Sequence, residues 1–302
     1  KKKISYISDV KNNELKRLNS DIFNHSSEYH KLSLCDYVII CLPTPLKKNT
    51  PDMSYIEDCF SEIYKYLKKN QTIILESSVY TGATRDIFEK KINKKFKLGK
   101  NFFLCYSPER IDPGQEKLIK KTEYVNITKL ISGHSKKCLA KIRILYKSVF
   151  KKIYECSSIE VAETAKLLEN IYRSVNIGLV NEMKIITHKL NLNIHQVIDA
   201  AGSKPFGFRK FSPGPGVGGH CIPIDPVFMS WLAKKNGNES KFINLSVQAN
   251  KRITDWTIKN ITLRLKKKNK ILLLGLTYKK DVNDMRESPS LKIFKSLILK
   301  KY

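Results

Sequence analysis

Short apolar runs alternate with helical patterns through the first half of the chain. The runs are DYVIIC at residues 36–41, TIILES at 72–77 and FFLCYSPER at 102–110. Between them, residues 55–69 carry apolar side chains at helical spacing, and residues 82–96 form the next helical segment. Runs of β-branched residues bounded by turns indicate buried strands. This alternation predicts an α/β fold with a parallel, doubly wound sheet.

A much longer helical period begins after these strands. Residues 157–191 hold it without a proline or another strong break, and Ser157 with Glu160 fits a capping box at its start. A helix of that length typically spans domains or forms an oligomer interface. Further predicted elements are a helix at 194–202, a helix at 239–265, and a strand, a loop and a helix from residue 270.

Both ends of the chain predict incomplete domains. No GxGxxG motif occurs, although an α/β domain that binds a dinucleotide begins with a strand, that glycine turn and a helix. The single strand and helix after residue 270 cannot bury their own faces. We therefore expect a chain truncated at both ends, inactive by itself and a poor binder of a dinucleotide.

The net charge of +28 is the strongest signal in the composition. Only nine of the 56 basic residues are Arg, the side chain that contacts phosphates in a bidentate manner, and the Lys residues are spread over helices and loops. This favours a coding bias toward Lys over a nucleic-acid interface. A nucleic-acid-binding protein remains the alternative, and it predicts DNA binding that weakens with salt.

Seven cysteines are scattered singly along the chain. The absence of a CxxC pair argues against structural zinc. An odd number of cysteines without an export signal indicates free thiols in a reducing cytoplasm. We predict that Cys41 and Cys105, which lie in apolar runs, are small core residues. No stretch of about 18 apolar residues indicates a membrane helix.

One cysteine stands in an unusual setting, the segment FSPGPGVGGHCIPIDP at residues 211–226. Its four glycines and four prolines exclude a regular helix or strand. Gly218 and Gly219 would let a ligand approach the backbone beside Cys221 and leave N–H groups to stabilise an oxyanion. Asp225 could orient a water or a lysine. A buried cysteine in a tight turn is the alternative, but the setting favours a reactive thiolate.

His220 does not form an obvious dyad with the cysteine that follows it. Neighbouring side chains in extended backbone point apart, so a structural hydrogen bond is favoured for His220.

Two other segments carry candidate catalytic groups. In ETAKLLEN, Lys166 and Asn170 share one helix face, and a lysine against a core can act as a base or stabilise an oxyanion. In YSPERIDPG, Glu109 follows a strand at the edge where ligands of open α/β sheets bind, so it could activate a water. The alternatives are a solvated lysine and an ordinary surface carboxylate.

Loops after other strands supply candidate binding groups. Thr44, Ser77 and Ser78 are candidate cofactor contacts, with ordinary loop polarity as the alternative. In GLTYKKDVNDMRES, the side chains that suit an aromatic ring and phosphates are Tyr278, Lys279 and Arg286.

Four motifs, YSPERIDPG, ETAKLLEN, GPGVGGHCIPIDP and GLTYKKDVNDMRES, follow one another along the chain. Together and in that order, they resemble the UDP-glucose/GDP-mannose dehydrogenase family of nucleotide-sugar dehydrogenases. Within it they look most like the enzymes that act on UDP-N-acetylhexosamines. The resemblance implies two Rossmann-like domains joined by a long central helix, through which a homodimer forms in the cytoplasm. It divides the chain into the remainder of an NAD domain at 1–154, a central helical and dimerisation domain at 155–266, and the start of a UDP-sugar domain at 267–302.

The resemblance also implies a mechanism with NAD as cofactor and no metal. The C6 hydroxyl of the UDP-sugar is oxidised to an aldehyde, which Cys221 attacks to give a thiohemiacetal. A second oxidation gives a thioester, and water aided by Glu109 releases the uronate, a precursor for surface polysaccharide. Lys166 and Asn170 would stabilise the oxyanions, and Asp225 would support the proton transfers.

The implied binding residues follow from the same motifs. Those for NAD are Thr44, Pro45, Ser77, Ser78, Val79 and Arg286. Those for the substrate are Glu109, Arg110, Lys166, Asn170, Ser212, Gly214, Gly216, Gly218, Tyr278 and Lys279. Arg209 is the nearest candidate for an arginine that reaches the partner subunit's substrate. Pro113 stands where UDP-glucose enzymes often carry a second Glu, which argues against UDP-glucose.

Two related activities remain as alternatives. UDP-glucose 6-dehydrogenase is one, and a one-step β-hydroxyacid dehydrogenase, which needs no cysteine, is the other. The sequence leaves the epimer of the UDP-sugar open.

Overall fold

The computed structural model describes residue 4 and residues 10–18, 22–111, 121–265, 269–300 and 302. The chain divides into two units, Lys1–Leu167 and Leu168–Tyr302. Each unit has its own core and is described by itself.

A five-stranded sheet forms the basis of the first unit. The strands are β1 (Tyr37–Ile40), the short pair β2 (Leu46–Lys47) and β3 (Thr50–Pro51), β4 (Thr72–Leu75), β5 (Phe103–Tyr106), β6 (Lys129–Gly133) and β7 (Ile153–Glu155). The main sheet has the order β1-β4-β5-β6-β7, whereas β2 and β3 pair only with each other. The three strands predicted from apolar runs, β1, β4 and β5, are therefore confirmed as neighbours.

The direction of the sheet changes once. β1, β4 and β5 are parallel, with Tyr37 opposite Thr72 and Thr72 opposite Phe103. β6 is antiparallel to β5, and β7 is parallel to β6. The sheet is therefore mixed where the alternation predicted parallel strands throughout. A parallel return needs a long crossover, such as the helix that joins β6 to β7, whereas an antiparallel neighbour does not.

The helices of this unit cover both faces of the sheet. They are α1 (Asn12–Arg17), α2 (Ser54–Ile63), α3 (Ala83–Lys95) and α4 (Lys136–Lys147), with 3₁₀ turns at Tyr29–Leu34, Tyr64–Tyr66 and Lys121–Asn126. All residues of β4 and β5 are buried, as expected of central strands covered on both sides. Cys105 is confirmed as a core residue, and it packs with Ile74 and with Ile142 of α4.

The second expected core cysteine is exposed. Cys41 follows the last residue of β1. The apolar run ends at the strand terminus, so this side chain enters the loop at the edge of the sheet rather than the core. The prediction that Cys41 is a core residue is wrong.

Helix α5 (Ile159–Lys189) confirms the long helix and has residues in both units. Its first turn differs from the prediction by one residue. The hydroxyl of Ser158, not Ser157, accepts the backbone N–H of Val161 at 3.2 Å, because the helix begins at Ile159.

The second unit is helical. It contains α6 (Ile194–Ala201), α7 (Asp225–Lys235), α8 (Lys241–Arg264) and α9 (Pro289–Leu299). Helix α7 was not predicted, because its first turn overlaps the proline-rich segment. Pro226 is compatible with that turn, since the first N–H groups of a helix have no intrahelical acceptor.

The strand predicted from residue 270 does not form. Within the described part of the chain, residues 269–276 pair with no strand, and the side chains of Leu272 and Leu274 are 82% and 84% exposed. A strand needs a neighbour to complete its hydrogen-bond ladder, so an apolar run alone does not specify one. The helix predicted after it is α9, and the hydroxyl of Ser288 caps it.

Among the residues that the structure describes, no helix has both the length and the apolar character that crossing a bilayer requires.

A buried carboxylate caps helix α3 in the first unit. Glu163 of α5 is fully buried and accepts the N–H of Gly82 at 2.6 Å, the N–H of Thr84 at 2.9 Å and the Thr84 hydroxyl at 2.6 Å. These groups include backbone donors that the helix itself leaves without partners. Burial nevertheless raises the pKa of Glu163 to about 7, against the three donors, which favour the ionised form.

This raised pKa predicts a pH-dependent contribution to stability. The folded chain binds the Glu163 proton more tightly than the unfolded chain, so the contribution is complete below pH 4.5 and is lost as the pH rises to about 7. Glu163→Gln cannot titrate. We expect the stability of the wild type relative to Glu163→Gln to fall by about 3 kcal/mol between pH 4.5 and 7.5 in denaturant unfolding.

The exposed Glu62→Gln serves as the control and should show no such change relative to the wild type. A stability difference between the wild type and Glu163→Gln that stays constant over this pH range would contradict the assignment.

Candidate active site

Cys221 opens the turn that leads into helix α7, which begins at Asp225. Its carbonyl oxygen accepts the N–H groups of Ile224 at 3.1 Å and Asp225 at 2.9 Å, which closes this turn. The Cys221 side chain is exposed. The turn thus places the cysteine ahead of a helix N-terminus, the end of a helix that favours negative charge.

The glycines before Cys221 make room for a tyrosine ring. Gly219 has a φ of +85°, and a Cβ atom there would lie 2.7 Å from the ring of Tyr278. A Cβ atom on Gly218 would lie 2.7 Å from the Cβ atom of Tyr278 and from the carbonyl oxygen of Glu287. We expected these glycines to admit a ligand, but the close approach that the structure shows is to Tyr278.

The N–H group of Gly219 is also used within the protein. It donates to the carbonyl oxygen of Arg286 at 2.9 Å. The expectation that this N–H group stabilises an oxyanion is therefore wrong, because a backbone carbonyl already occupies it. The contact joins the cysteine segment to the segment that contains Tyr278 and Arg286. Gly219 and Tyr278 are 59 residues apart in sequence.

The guanidinium of Arg286 is held by a carboxylate two residues earlier. It donates to both carboxylate oxygens of Asp284, and this hydrogen bonding raises the pKa of Arg286. Burial, and then Arg286, lower the pKa of His220, so its imidazole is neutral at pH 7. Arg286, the side chain that we expected to contact NAD, is thus a cation near the cysteine segment.

Two of the predicted catalytic side chains form a buried pair. The amide nitrogen Nδ2 of Asn170 donates to Oδ2 of Asp225 at 2.6 Å, and the two residues are only 4% and 2% exposed. Asp225 is the first residue of α7, so this hydrogen bond joins α5 to the helix that follows the cysteine turn. Lys166 lies one turn earlier on α5, in the first unit, and is partly exposed.

A buried amide chain anchors the start of the cysteine segment. Gly214 N–H donates to Asn181 Oδ1 at 3.0 Å, Asn181 Nδ2 donates to Asn250 Oδ1 at 2.9 Å, and Asn250 Nδ2 donates to the carbonyl of Ser174 at 2.9 Å. Sequence reasoning missed Asn181 and Asn250. The available signal was an amide on the buried face of each helix, where apolar residues are the norm.

Other substrate candidates have identifiable surroundings in this unit. Gly216 has a φ of +140° and lies against Thr254, whose hydroxyl donates to the Pro215 carbonyl at 2.6 Å. Ser212 is exposed, and Lys279 is partly exposed. The guanidinium of Arg209 lies over the ring of Phe211, 6.0 Å from its centroid.

The predicted cofactor loops are tied together in the first unit. The Thr44 hydroxyl donates to the carbonyl of Ser78 at 2.6 Å, and Leu42 N–H donates to the hydroxyl of Ser77 at 2.8 Å. Thr44, Ser77 and Val79 are buried, so their side chains hold the loops in place.

Residues with exposed surface in these loops fit a dinucleotide. Pro45 and Ser78 are partly exposed and follow the carboxyl ends of β1 and β4. In open α/β sheets a dinucleotide binds along that edge. The two residues therefore lie at the edge of the sheet where a dinucleotide would bind.

The carboxylate of Glu109 is fixed on several sides. Its Oε1 accepts the N–H groups of Arg110 at 2.6 Å and Ile111 at 2.5 Å, and its Oε2 lies 3.6 Å from Nζ of Lys129. The Glu109 side chain remains half exposed. Arg110 donates from Nη1 to the carbonyl of Thr128 at 2.7 Å, so this guanidinium braces the loop. Pro113, which bears on the choice of sugar, lies outside the described residues.

The chain matches three domain models of one protein family. The UDP-glucose/GDP-mannose dehydrogenase family matches through its NAD binding domain at residues 2–150, its central domain at 160–252 and its UDP binding domain at 272–302. The chain belongs to this family. The resemblance seen in the sequence is confirmed, and the matched NAD binding domain identifies NAD as the cofactor.

Individual relatives support the same assignment. Protein CapL of Staphylococcus aureus is 34% identical over 299 residues, which are 96% of this chain and 68% of CapL. A UDP-N-acetyl-D-mannosamine dehydrogenase of Methanococcus maripaludis is 36% identical over 87% of this chain and 60% of its own. A UDP-N-acetyl-D-glucosamine 6-dehydrogenase of Pseudomonas aeruginosa is 33% identical over 88% and 64%. The chain thus spans 60–68% of the length of these relatives.

Solved structures of the family share the α/β fold. The UDP-D-ManNAc dehydrogenase of Pyrococcus horikoshii superposes with a TM-score of 0.82 at 29% identity, covering 91% of this chain and 65% of that one. The UDP-N-acetyl-mannosamine dehydrogenase Cap5O of Staphylococcus aureus superposes with a TM-score of 0.75 at 34% identity, covering 87% and 63%. The predicted Rossmann-like α/β class is confirmed.

Proposed function

We propose that the protein oxidises the C6 hydroxyl of a UDP-N-acetylhexosamine to the uronate in two NAD-dependent steps. The observation that carries this proposal is the exposed Cys221 in the turn that leads into α7. A single oxidation to the aldehyde needs no nucleophile, whereas a double oxidation needs a group that holds the carbon between the steps. The exposed cysteine therefore favours the four-electron reaction over a one-step hydroxyacid dehydrogenase.

The chemistry of the cysteine follows from its position. The Cys221 thiolate attacks the C6 aldehyde and forms a thiohemiacetal, and oxidation of this adduct leaves a thioester. NAD, when bound, accepts one hydride in each oxidation. Water then attacks the thioester, the carbon–sulfur bond breaks, and the uronate leaves with the thiolate restored. In this scheme Glu109 activates the water.

Asn170 and Asp225 form the polar support of the cysteine turn in this scheme. The Asn170 amide holds the Asp225 carboxylate at 2.6 Å, and Asp225 begins the helix whose N-terminus follows Cys221. We assign to Asp225 the support of proton transfers and to Asn170, with Lys166, the stabilisation of the oxyanion. The loop containing Ser212, Gly214, Gly216 and Gly218, with Tyr278, Lys279 and Arg110, forms the proposed substrate contacts. Pro45, Ser78 and Arg286 form the proposed NAD contacts.

The sugar class comes from the relatives. Proteins named as UDP-N-acetyl-D-mannosamine and UDP-N-acetyl-D-glucosamine dehydrogenases are 33–36% identical to this chain. We accordingly propose a UDP-N-acetylhexosamine over UDP-glucose, and a cytoplasmic enzyme that supplies uronates for surface polysaccharide. In this assignment residues 1–154 belong to the NAD domain, 155–266 to the central domain and 267–302 to the UDP-sugar domain.

The number of NADH formed per sugar tests the proposal. The intact protein is mixed with excess NAD and a limiting amount of UDP-N-acetylglucosamine. Parallel assays replace this sugar with the mannosamine epimer or with UDP-glucose. We expect two NADH per sugar with one N-acetylhexosamine epimer, and no uronate from Cys221→Ser. One NADH per sugar would show a reaction that stops at the aldehyde, and oxidation of UDP-glucose alone would contradict the sugar class.

An apolar stripe on α5 supports a homodimer. The side chains of Leu168, Tyr172, Leu179 and Ile186 are 46–62% exposed. They are spaced 4, 7 and 7 residues apart, so they project from one face of the helix. An isolated exposed leucine is ordinary, whereas an aligned row marks an interaction surface. We propose that two copies of the protein associate through this stripe.

Glutamates in the stripe should separate the two subunits. We expect Leu179→Glu combined with Ile186→Glu to give a monomer in analytical ultracentrifugation, because two carboxylates per subunit would be buried without partners. Leu263→Glu makes the same change at an exposed position on α8 and should leave the dimer intact. A stripe variant that sediments like the wild type would rule this surface out.

A further inference from the structure

A charged lysine lies inside the first unit. Lys129 is the first residue of β6, and its side chain is only 3% exposed. An ammonium removed from water costs several kcal/mol unless other charges and hydrogen bonds compensate it. The groups around Lys129 must therefore compensate its charge.

Two carboxylates surround this ammonium. Nζ of Lys129 lies 3.1 Å from Oε1 of Glu76 and 3.6 Å from Oε2 of Glu109, and it donates to the carbonyl of Pro108 at 3.3 Å. The Tyr146 hydroxyl donates to the same Oε1 of Glu76. Oε1 of Glu76 thus faces two donors, the Cys41 thiol donates to Oε2 at 3.7 Å, and the second side of the ammonium faces Glu109.

The rings of Tyr146 and Phe150 enclose the ammonium further. Their centroids lie 5.1 Å and 5.5 Å from Nζ. Since these rings limit where the side chain can move, Lys129 cannot turn away from the two carboxylates without a loss of cation–π contact.

Lys129 completes the immobilisation of Glu109. One carboxylate oxygen of Glu109 accepts two backbone N–H groups, and the other faces the ammonium, while half of the side chain is open to solvent. A group that takes a proton from water must point in a fixed direction. The two N–H groups and the ammonium together fix the direction of the Glu109 carboxylate.

We propose that Lys129 is a positioning residue that keeps Glu109 oriented for hydrolysis of the thioester. This inference rests on the proposed function. In the step concerned, Glu109 takes one proton from water as the water oxygen bonds to the thioester carbon. The carbon–sulfur bond then breaks, the sulfur leaves with the electron pair, and the proton passes from Glu109 to solvent. No oxidation occurs in this step.

The test separates hydrolysis from the two oxidations. Lys129→Met combined with Glu76→Gln removes both charges of the buried pair, so the fold is not left with an uncompensated ion. NADH formation by the intact protein is followed by stopped flow with NAD and the UDP-sugar that the wild type oxidises. We expect a burst of two NADH per subunit at the wild-type rate, then a steady state about 10- to 100-fold slower, with KM for the sugar unchanged.

Two further variants complete the comparison. Lys129→Arg keeps the positive charge and should recover most of the steady-state rate. Lys152→Met removes an exposed lysine whose carbonyl oxygen accepts the N–H of Lys129, and it should behave as the wild type. A double variant in which the burst slows as much as the steady state would show that Lys129 is merely structural and would overturn the proposal.

These results are distinguishable from a failure of the proposed function. A steady-state rate of Lys129→Arg that fell 10-fold or more below the wild type would overturn the role of the Lys129 charge even if the double variant did not fold. If the wild type itself formed only one NADH per sugar, the double oxidation would be wrong, whatever the variants did.

Discussion

The contact between the ring of Tyr278 and the backbone at Gly218 and Gly219 constrains the rest of the candidate active site. The ring occupies the space that a Cβ atom would need, so only glycine fits at these positions. The hydrogen bond from Gly219 N–H to the Arg286 carbonyl fixes the same two segments. Once this contact forms, Cys221 opens the turn that leads into α7, and its side chain is exposed.

Buried polar contacts hold the elements that carry functional groups. In the second unit, an Asn170–Asp225 hydrogen bond joins α5 to α7, and the amides of Asn181 and Asn250 join α5 to α8 and to the cysteine segment. In the first unit, the carboxylates of Glu163 and Glu76 serve the same purpose. Such groups are costly when unpaired, so they specify one arrangement more strictly than apolar packing does.

Hydrophobic patterns within single segments predicted the strands and the long helix, which depend mainly on the residues of those segments. The apolar runs indicated β1, β4 and β5, and the uninterrupted period indicated α5, because burial on a sheet or a helix face leaves a direct trace in sequence. The antiparallel β6 and the failed strand after residue 270 depend on a neighbouring strand, which a single segment does not reveal. The cysteine segment was identified, yet the close approach of Tyr278 to its glycines was missed, since Tyr278 is distant in sequence. Lys129 was missed because one lysine among many carries no signal until the fold buries it.

The most direct test of this account compares two alanine substitutions at glycines with positive φ. Gly219 (φ +85°) faces the Tyr278 ring, whereas a Cβ atom added to Gly237 (φ +74°) would have no neighbouring atom within 4 Å. Thermal unfolding and the rate of iodoacetamide alkylation at Cys221, read by peptide mass spectrometry, are measured for both variants. The account predicts that Gly237→Ala loses only about 1 kcal/mol of stability and that Gly219→Ala loses about 1–3 kcal/mol more. It also predicts that alkylation slows about fivefold in Gly219→Ala alone, as expected when about 1 kcal/mol of thiolate stabilisation is lost. Equal losses of stability and an unchanged alkylation rate would show that the contact does not position the cysteine.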